Sequence, residues 1–480
     1  MEKAGKEKAG NILSFGLMEG VILFIGLFVC IYVSCRKLNT DLFFIINNGR
    51  YIVENKDFFP TTLFSTIHED FYTIIQQPLW STILYLLFKN LGIASLPVFF
   101  SVFPFISLFL LLKIFKYGSP FKRACLSSFI LILICLAFTG RPSSFSVTNI
   151  LFNFYILEGI KDESLSERKA LFLLPSLLLE LLCHASFFPI LIFIQLSYMA
   201  GLHLKDRVLR FKYVLISIFL SVIFGVCTPY GIKLPLYSFY SYGSASYGNL
   251  IAELKRPPIL STYTLVIIIA ALLMLWQLIN RHADGVLLTF FGICALLLHV
   301  RNLYLLGVLL VPLLRSLSAY DTEDVKGSRL TIRFYVPIAV TIFYAFYVST
   351  FFMRFAVADG PLTPASACSY ILENDRSSRV YSDFNMGAYL EFCGLDSYID
   401  ARPELYSKKI NGKEDIYLEF VELSLLDNFD YNGFIDKYRF EYVLTADSTK
   451  LKMFLDYRKG YEKILEGNGY SLYKVNRYEE

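Results

Sequence analysis

The chain has 480 residues, of which 55% are hydrophobic and 18% are charged, and its net charge is +4. A soluble domain carries about 25% charged residues, so this composition excludes an ordinary soluble protein. The small positive charge is spread along the chain, which excludes a basic nucleic-acid-binding surface. Repeated apolar runs of about 17 to 25 residues instead predict an α-helical polytopic membrane protein.

Twelve apolar runs follow one another, and each is a candidate membrane helix. They fall at 16–34, 77–91, 94–113, 124–139, 147–160, 169–183, 185–203, 212–228, 259–280, 284–299, 302–316 and 334–353. The first run follows a lysine-rich N-terminus and precedes no small-residue cleavage site. We interpret it as an uncleaved anchor whose start is cytoplasmic, and a signal peptide is the competing interpretation.

Lysine and arginine predict which loops face the cytoplasm. Three basic loops, Lys113–Arg123, Lys205–Lys212 and Arg315–Arg333, are placed there together with the N-terminus. Twelve crossings cannot satisfy this arrangement, but eleven can if the run 77–91 lies in the membrane interface or re-enters. The C-terminal tail is then extracytoplasmic. The alternative is that 77–91 crosses and one basic loop breaks the rule.

The first loop, Arg36 to Gln77, is polar and aromatic, as expected where a membrane enzyme meets a water-soluble substrate. Asp41 lies at the membrane boundary, where an ionisable group is costly and favours a functional interpretation. It is a candidate general base for activating an acceptor hydroxyl. The alternative is that Asp41 caps a helix starting at Leu42, and a salt-bridge or metal role also stays open.

The predicted topology places polar groups from several span ends on one outer face. The candidates for substrate binding among them are Arg141, His184, Tyr230, Glu253, Arg301 and Asn302. Arginine offers a fork of donors to phosphate oxygens, so Arg141 and Arg301 are candidate phosphate ligands. Glu253 is either a second carboxylate or the partner that neutralises one arginine. Taken singly, each residue has a structural interpretation, such as an arginine that snorkels to the interface.

The composition changes near the turn-rich linker 357–363, and residues 364–480 are predicted to form a small soluble α/β domain. Its predicted helices are 365–373, 387–393 and 448–457, and its predicted strands are 379–382, 397–400, 441–445, 461–465 and 471–475. The alternation favours a mainly parallel sheet. Asp400 and Arg402 lie beyond a strand end, where open sheets bind ligands. The alternative is an ion pair that fixes this domain to the membrane core.

The first loop and the run that follows it carry, in order, Asp41, Phe43-Phe44, Gly49-Arg50, Ile52, Pro60, Ser65, Pro78-Leu79-Trp80 and Gly92. This order resembles the first loop of the GT-C superfamily of polytopic glycosyltransferases. It resembles more closely a group of largely uncharacterised bacterial membrane proteins with GT-C-like architecture. Later motifs also resemble that group: Gly140-Arg141-Pro142, His184-Ala-Ser-Phe187, Thr228-Pro-Tyr230-Gly231, Glu253 and Arg301-Asn302, and in the tail Asp383 to Leu390 and Tyr398 to Tyr406. The chain departs from the group at Ile45, where His is typical, and at Thr228, where Asn is typical.

The resemblance implies a GT-C-like membrane fold and transfer of a sugar from a polyprenyl-phosphate donor to an extracytoplasmic glycan or envelope acceptor, in a bacterial cytoplasmic membrane. Two other functions stay open: a transporter or flippase for a lipid-linked precursor, and a non-catalytic scaffold for cell-envelope assembly. No cofactor is certain. A divalent metal is possible, with Asp41, His68, Glu69 and Asp70 as ligands.

Overall fold

The structure is a computed structural model that describes residues 17–36, 41–58, 74–203, 212–241, 251–279, 285–318, 365–467 and 469–476. The chain divides into two compact units. Unit 1 comprises Met1–Leu38, Ala94–Thr228 and Ile251–Gly360, and unit 2 comprises Asn39–Ile93, Pro229–Leu250 and Pro361–Glu480. A single boundary was predicted at 357–363, and these residues lie outside the described ones. Two segments that precede this boundary therefore cluster with the tail.

The elements are numbered along the chain. The helices are α1 (Leu17–Arg36), α2 (Asp41–Asn55), α3 (Pro78–Leu91), α4 (Ser95–Ile114), α5 (Pro120–Ile134), α6 (Ser143–Lys161), α7 (Leu173–Cys183), α8 (Phe188–His203), α9 (Lys212–Val226), α10 (Tyr237–Ser241), α11 (Thr262–Ile279), α12 (Val286–Leu298), α13 (Leu303–Leu309), α14 (Val311–Ser318), α15 (Ala365–Asn374), α16 (Gly387–Cys393), α17 (Lys408–Asn411), α18 (Ile416–Leu425), α19 (Tyr431–Tyr438) and α20 (Lys450–Tyr457). The strands are β1 (Val380–Ser382), β2 (Tyr442–Ala446), β3 (Tyr461–Gly467) and β4 (Tyr470–Val475).

Three helices in the described part of the chain are long and apolar enough to cross a membrane: Ser95–Ile114, Pro120–Ala137 and Thr262–Ile279. Four shorter helices are also apolar: Leu17–Val33, Ala185–Ala200, Lys212–Val226 and Val286–Leu298. The sequence predicted eleven or twelve membrane crossings, whereas three described helices are long and apolar enough to cross. One reason is that the run 302–316 is split into α13 and α14. The run 334–353 lies outside the described residues.

Helix α6 has 19 residues but carries a polar stripe, which its neighbours satisfy. Thr148 shares a 2.9 Å hydrogen bond with Ser107 of α4. Asn153 accepts one of 2.9 Å from Gln195 of α8. Because polar groups in apolar surroundings need partners, these hydrogen bonds hold α6 against two neighbouring helices. The stripe also explains why α6 is less apolar than a typical spanning helix.

A buried ion-pair cluster joins the C-terminal end of α6 to α14. Arg315 donates to Glu158 and to Asp162, and it is 7% exposed while Glu158 is 3% exposed. Tyr198 donates a 2.9 Å hydrogen bond to Glu158. The guanidinium also lies 5.5 Å from the ring centre of Tyr117. A charge buried this deeply depends on its partners, so the cluster fixes the position of α14.

The sheet of unit 2 has the strand order β1-β2-β4-β3. Only β1 and β2 pair in parallel, whereas β2 with β4 and β4 with β3 are antiparallel. The prediction of a mainly parallel sheet is therefore wrong. Two residues separate β3 from β4, which permits a hairpin but not the crossover that a parallel pair needs. The predicted strand 397–400 is reduced to an isolated bridge between Ser397 and Val380.

Helices α2 and α3 pack together at Gly49. A Cβ at this position would collide with the backbone carbonyl of Ser81 and lie 2.8 Å from the Tyr85 Cβ, so only glycine permits the close approach.

On another part of α2, Phe43 meets Tyr389 of α16 edge to face, with ring centres 4.8 Å apart. At 14 residues, α3 is shorter than the ~20 residues that span a bilayer, which favours the interfacial alternative for the run 77–91.

Candidate functional site

An ion pair between Arg141 and Glu253 forms the first part of the candidate site in unit 1. Arg141 follows Gly140, whose φ of +83° turns the chain just before α6. The Nη1 group of Arg141 donates to both Glu253 carboxylate oxygens, at 2.9 and 3.0 Å. The side chains are 29% and 39% exposed, so an ion from outside can reach both. Glu253 therefore pairs with an arginine in this structure, and its part in substrate binding stays a prediction.

Hydrogen bonds join the segment that carries Arg301 to the segment that carries Glu253. His299 contacts the Leu254 carbonyl through Nδ1 at 2.6 Å, and the Val300 amide donates to the Lys255 carbonyl at 3.0 Å. Asn302 donates to the Ala295 carbonyl at 2.8 Å and so closes the end of α12. The Asn302 amide group therefore has a structural role in this state.

His184 lies between α7 and the short 3₁₀ turn that precedes α8. Its ring stacks on Phe187, with centroids 4.6 Å apart. Both Arg301 and Arg141 interact electrostatically with His184. Unit 1 therefore brings together two arginines, one histidine and Glu253, although these residues are far apart in sequence. Guanidinium groups offer forked donors that fit phosphate and carboxylate oxygens, so a place where two of them meet suits an anion.

Three residues that form a hydrogen-bonded group with His184 were not predicted as site residues: Ser146, Asn149 and Glu180. The Ser146 hydroxyl lies 2.7 Å from His184 Nδ1 and 2.5 Å from a Glu180 carboxylate oxygen. Asn149 donates to the other Glu180 oxygen at 2.7 Å. The sequence does carry a signal, because Glu180 is a carboxylate inside an apolar run and lies four residues before His184.

Asp41 and Tyr230, two further predicted site residues, belong to unit 2. Asp41 is the first described residue of α2 and lies in the first turn of that helix. Its carboxylate lies at the end of the helix where the backbone dipole favours negative charge. The Tyr230 hydroxyl donates to the Phe58 carbonyl and accepts from the Ile75 amide at 3.4 Å. Tyr230 therefore joins residues on either side of 59–73.

Asp400 and Arg402 form a buried ion pair within unit 2. Arg402 donates to Asp400 through Nε at 2.7 Å and through its backbone amide at 2.8 Å, and to Glu391 at 3.2 Å. The Asp400 side chain is fully buried and that of Arg402 is 6% exposed. Burial, reinforced by the charge of Asp400, raises the pKa of Glu391 well above its usual value. This geometry favours the ion-pair alternative over contact with a substrate, and Glu391 is an additional member that the sequence did not indicate.

No group of three His, Cys, Asp or Glu side chains is arranged to hold a metal within the described ranges. His68, Glu69 and Asp70 lie outside them, so the proposed ligand set is not described.

The described helices include three candidate membrane spans, and the tail carries a small mixed sheet. This fold is similar to the GT-C fold of a solved membrane enzyme. One similar solved structure is an archaeal oligosaccharyltransferase, AglB from Archaeoglobus fulgidus in complex with an inhibitory peptide and a dolichol-phosphate. It aligns at a TM-score of 0.57 and 11% identity, over 97% of this chain and 75% of that one. An apo structure of the Archaeoglobus fulgidus oligosaccharyltransferase aligns at a TM-score of 0.49 and 11% identity, over 96% of this chain and 74% of that one.

No protein-family model and no curated protein matches the chain. At 11% identity the structural likeness establishes the fold alone. It supports the expected GT-C-like fold. The separate evidence for a membrane location is the set of candidate spans. It does not establish the closer likeness to a bacterial group.

Proposed function

We propose that this protein is a GT-C-type glycosyltransferase that moves a sugar from a polyprenyl-phosphate-linked donor to an extracytoplasmic glycan or envelope acceptor. The observation that carries the proposal is the convergence of Arg141, Arg301 and His184 in unit 1. The similar archaeal enzyme was solved with a dolichol-phosphate, which is a lipid phosphate, and this supports a donor of the same chemical class.

The two arginines suit the leaving group of this reaction. When the bond between the anomeric carbon and the phosphate oxygen breaks, negative charge grows on that oxygen. Guanidinium groups positioned beforehand stabilise such charge more in the transition state than in the ground state. In the structure the Glu253 carboxylate is paired with the Arg141 guanidinium, so a donor phosphate that binds Arg141 replaces this carboxylate. We expect donor binding to displace Glu253 from Arg141.

We assign Asp41 the role of general base. It would accept the proton of the acceptor hydroxyl while that oxygen bonds to the anomeric carbon and the lipid phosphate leaves. General-base catalysis of this kind contributes about 10²–10⁴-fold to the rate. This role is supported by the position of Asp41 in the first-loop motif and by its place at the start of α2.

The same proposal includes a bacterial cytoplasmic membrane, with a cytoplasmic N-terminus and an extracytoplasmic tail. The acceptor then meets unit 2 outside the cell. This orientation is supported by the basic loops and not by the fold comparison.

A transfer assay tests the function. The purified protein is placed in vesicles with radiolabelled polyprenyl-phosphate sugars and a cell-envelope acceptor fraction. We expect transfer by the wild type, loss of at least 100-fold in Asp41→Asn, and normal folding of that variant. Asp57→Asn is the matched control, since it makes the same change in the same loop at a residue bonded to Tyr51. Normal turnover by Asp41→Asn contradicts the assignment of the base, and no transfer of any donor sugar by the wild type contradicts the function.

A further inference from the structure

A chain of three side chains runs from the candidate site into the interior of unit 1. His184 contacts Ser146 of α6 at 2.7 Å, and Ser146 contacts Glu180 of α7 at 2.5 Å. Glu180 is fully buried, and Asn149 holds its second oxygen. A carboxylate therefore lies behind the histidine and is joined to it by one hydroxyl group.

Hydrogen-bond chemistry fixes the direction of this chain while Glu180 is ionised. A hydroxyl group has one hydrogen, and the other two partners of Ser146 are the Glu180 carboxylate and the Pro142 carbonyl at 3.2 Å. Both of these only accept, so Ser146 presents a lone pair to His184. Nδ1 of His184 must then carry the ring hydrogen and donate it. A neutral imidazole has one such hydrogen, so Nε2 is bare and acts as an acceptor.

Adding one proton to the hydrogen-bonded group of His184, Ser146 and Glu180 places a hydrogen on Nε2. If the proton stays on the ring, His184 becomes an imidazolium that faces an ionised Glu180. If the proton ends on Glu180, that residue donates to Ser146. Ser146 then gives its hydrogen to Nδ1 at 2.7 Å instead of to the Pro142 carbonyl at 3.2 Å, and the single ring hydrogen moves to Nε2. Both distributions convert Nε2 from an acceptor into a donor. The chemistry of this nitrogen is therefore set by the protonation of the whole chain.

We propose that Ser146 and Glu180 are positioning residues that couple the binding of a lipid phosphodiester, at Arg141 and Arg301, to the uptake of one proton by His184. This inference rests on the proposed function. An acceptor nitrogen repels a phosphate oxygen, whereas an Nε2–H group donates to it. Ser146 and Glu180 therefore decide in which protonation state the site receives its anion.

The charges around His184 oppose one another in a way that favours this coupling. Burial and the charges of Arg301 and Arg141 disfavour a proton on the ring, whereas Glu180 favours one through Ser146. Glu253 offsets Arg141, and the neighbouring Cys183 is a buried thiol. A bound phosphate offsets both arginines, so the anion and the proton each strengthen the binding of the other.

Titration calorimetry with farnesyl methyl phosphate tests the coupling. This probe is a phosphodiester and lacks the second phosphate ionisation near pH 6, so a proton taken up belongs to the protein. Binding heats measured in two buffers of different ionisation enthalpy count the protons. We expect uptake of about one proton by the wild type, and an affinity that falls about tenfold per pH unit above the midpoint of the profile.

Glu180→Gln provides a readout that a structural role would not produce. Asn149 donates to the oxygen at this position, so the glutamine nitrogen faces Ser146 and donates to it. Ser146 then donates to Nδ1 at 2.7 Å in preference to the more distant Pro142 carbonyl at 3.2 Å, so Nε2 keeps its hydrogen at every pH. We expect this variant to take up no proton and to bind more tightly than the wild type at pH 8.5. Damage to the structure would weaken binding instead.

Two serine variants complete the test. Ser146→Ala removes the link to Glu180 and should move the midpoint of the wild-type profile to lower pH by at least half a unit. Ser144→Ala is the matched control, since Ser144 lies on the same helix, two residues before Ser146. Its hydroxyl donates to the Ala137 carbonyl at 3.0 Å. It should keep the wild-type profile.

The outcomes separate this inference from the proposed function. Binding by the wild type without proton uptake, or a Glu180→Gln profile equal to that of the wild type, overturns the coupling and leaves the phosphate site intact. Absence of binding at every pH overturns both.

Discussion

Arg141 is held by Glu253, which lies 112 residues further along the chain and accepts two hydrogen bonds from a single guanidinium nitrogen. The pair is partly exposed, in contrast to the buried pair of Arg402 with Asp400. An exposed pair contributes only about 0–1 kcal/mol to stability. It is therefore weak enough for an incoming anion to separate it.

The first prediction follows from this exchange. Glu253→Gln removes the carboxylate that competes for Arg141, so the affinity for a polyprenyl phosphate should rise by about twofold to fivefold. Native mass spectrometry of the detergent-solubilised protein, with added lipid, measures the bound fraction. Glu167→Gln, the same change in a 3₁₀ turn away from the pair, should leave binding unaltered. A weaker affinity in Glu253→Gln would show that Glu253 supports the anion site.

The second prediction concerns the buried cluster at the end of α6. Arg315→Met leaves Glu158 buried without its main partner, which should destabilise unit 1 by about 3–5 kcal/mol. Thermal unfolding in detergent measures the loss. The double variant Arg315→Met with Glu158→Gln should recover most of it, and the exposed change Arg168→Met should have little effect. Equal melting temperatures for Arg315→Met and the wild type would contradict the assigned role of the cluster.

The third prediction concerns the contact between α2 and α3. Gly49→Ala places a Cβ against the backbone carbonyl of Ser81, which cannot move without shifting α3. Overpacking of this kind costs about 1–3 kcal/mol, so protease resistance of the first loop should fall. Gly20→Ala is the matched control, because nothing lies within 4 Å of a Cβ built there. Similar protease resistance in the two variants would show that the helices separate easily.

The fourth prediction is a pH dependence in the tail. Burial raises the pKa of Asp383 from 3.8 to about 6. The folded tail therefore holds this proton more tightly than the unfolded tail does. The resulting stability is present below about pH 4 and is lost as the pH rises through about 6, with an upper limit of about 3 kcal/mol.

Hydrogen exchange of β1 and β2 in the intact protein, corrected for intrinsic exchange rates, measures this dependence between pH 4 and 7. Asp383→Asn should flatten it. Asp456→Asn should not, because hydrogen bonds from Lys463 and Tyr473 lower the pKa of Asp456 to about 2, outside this window. An unchanged profile in Asp383→Asn would contradict the burial argument.

Local pattern predicted much of the fold. The helix expected at 387–393 is α16, and the apolar run 94–113 is α4, since both depend on periodicity within one segment. The pairing of β2 with β4 was missed because it depends on which distant strands meet. The length of the β3–β4 connection alone could have indicated a hairpin.

The candidate site was predictable only in part. Arg141, His184 and Arg301 stood out as polar groups at the ends of apolar runs. The contacts of Ser146 with Glu180 and with His184 could not be read from the sequence, because they require α6 and α7 to pack in one particular register. Conversely, Asp400 and Arg402 looked accessible in the sequence, and the fold buries them beside Glu391.

Native mass spectrometry with a polyprenyl monophosphate tests the central claim most directly, comparing the wild type with Arg141→Ala, Arg301→Ala and the control Arg168→Ala. We predict specific binding by the wild type and the control, and a loss of at least tenfold in each of the other two variants. Binding that survives both substitutions, or its absence from the wild type, would contradict a lipid-phosphate site in unit 1.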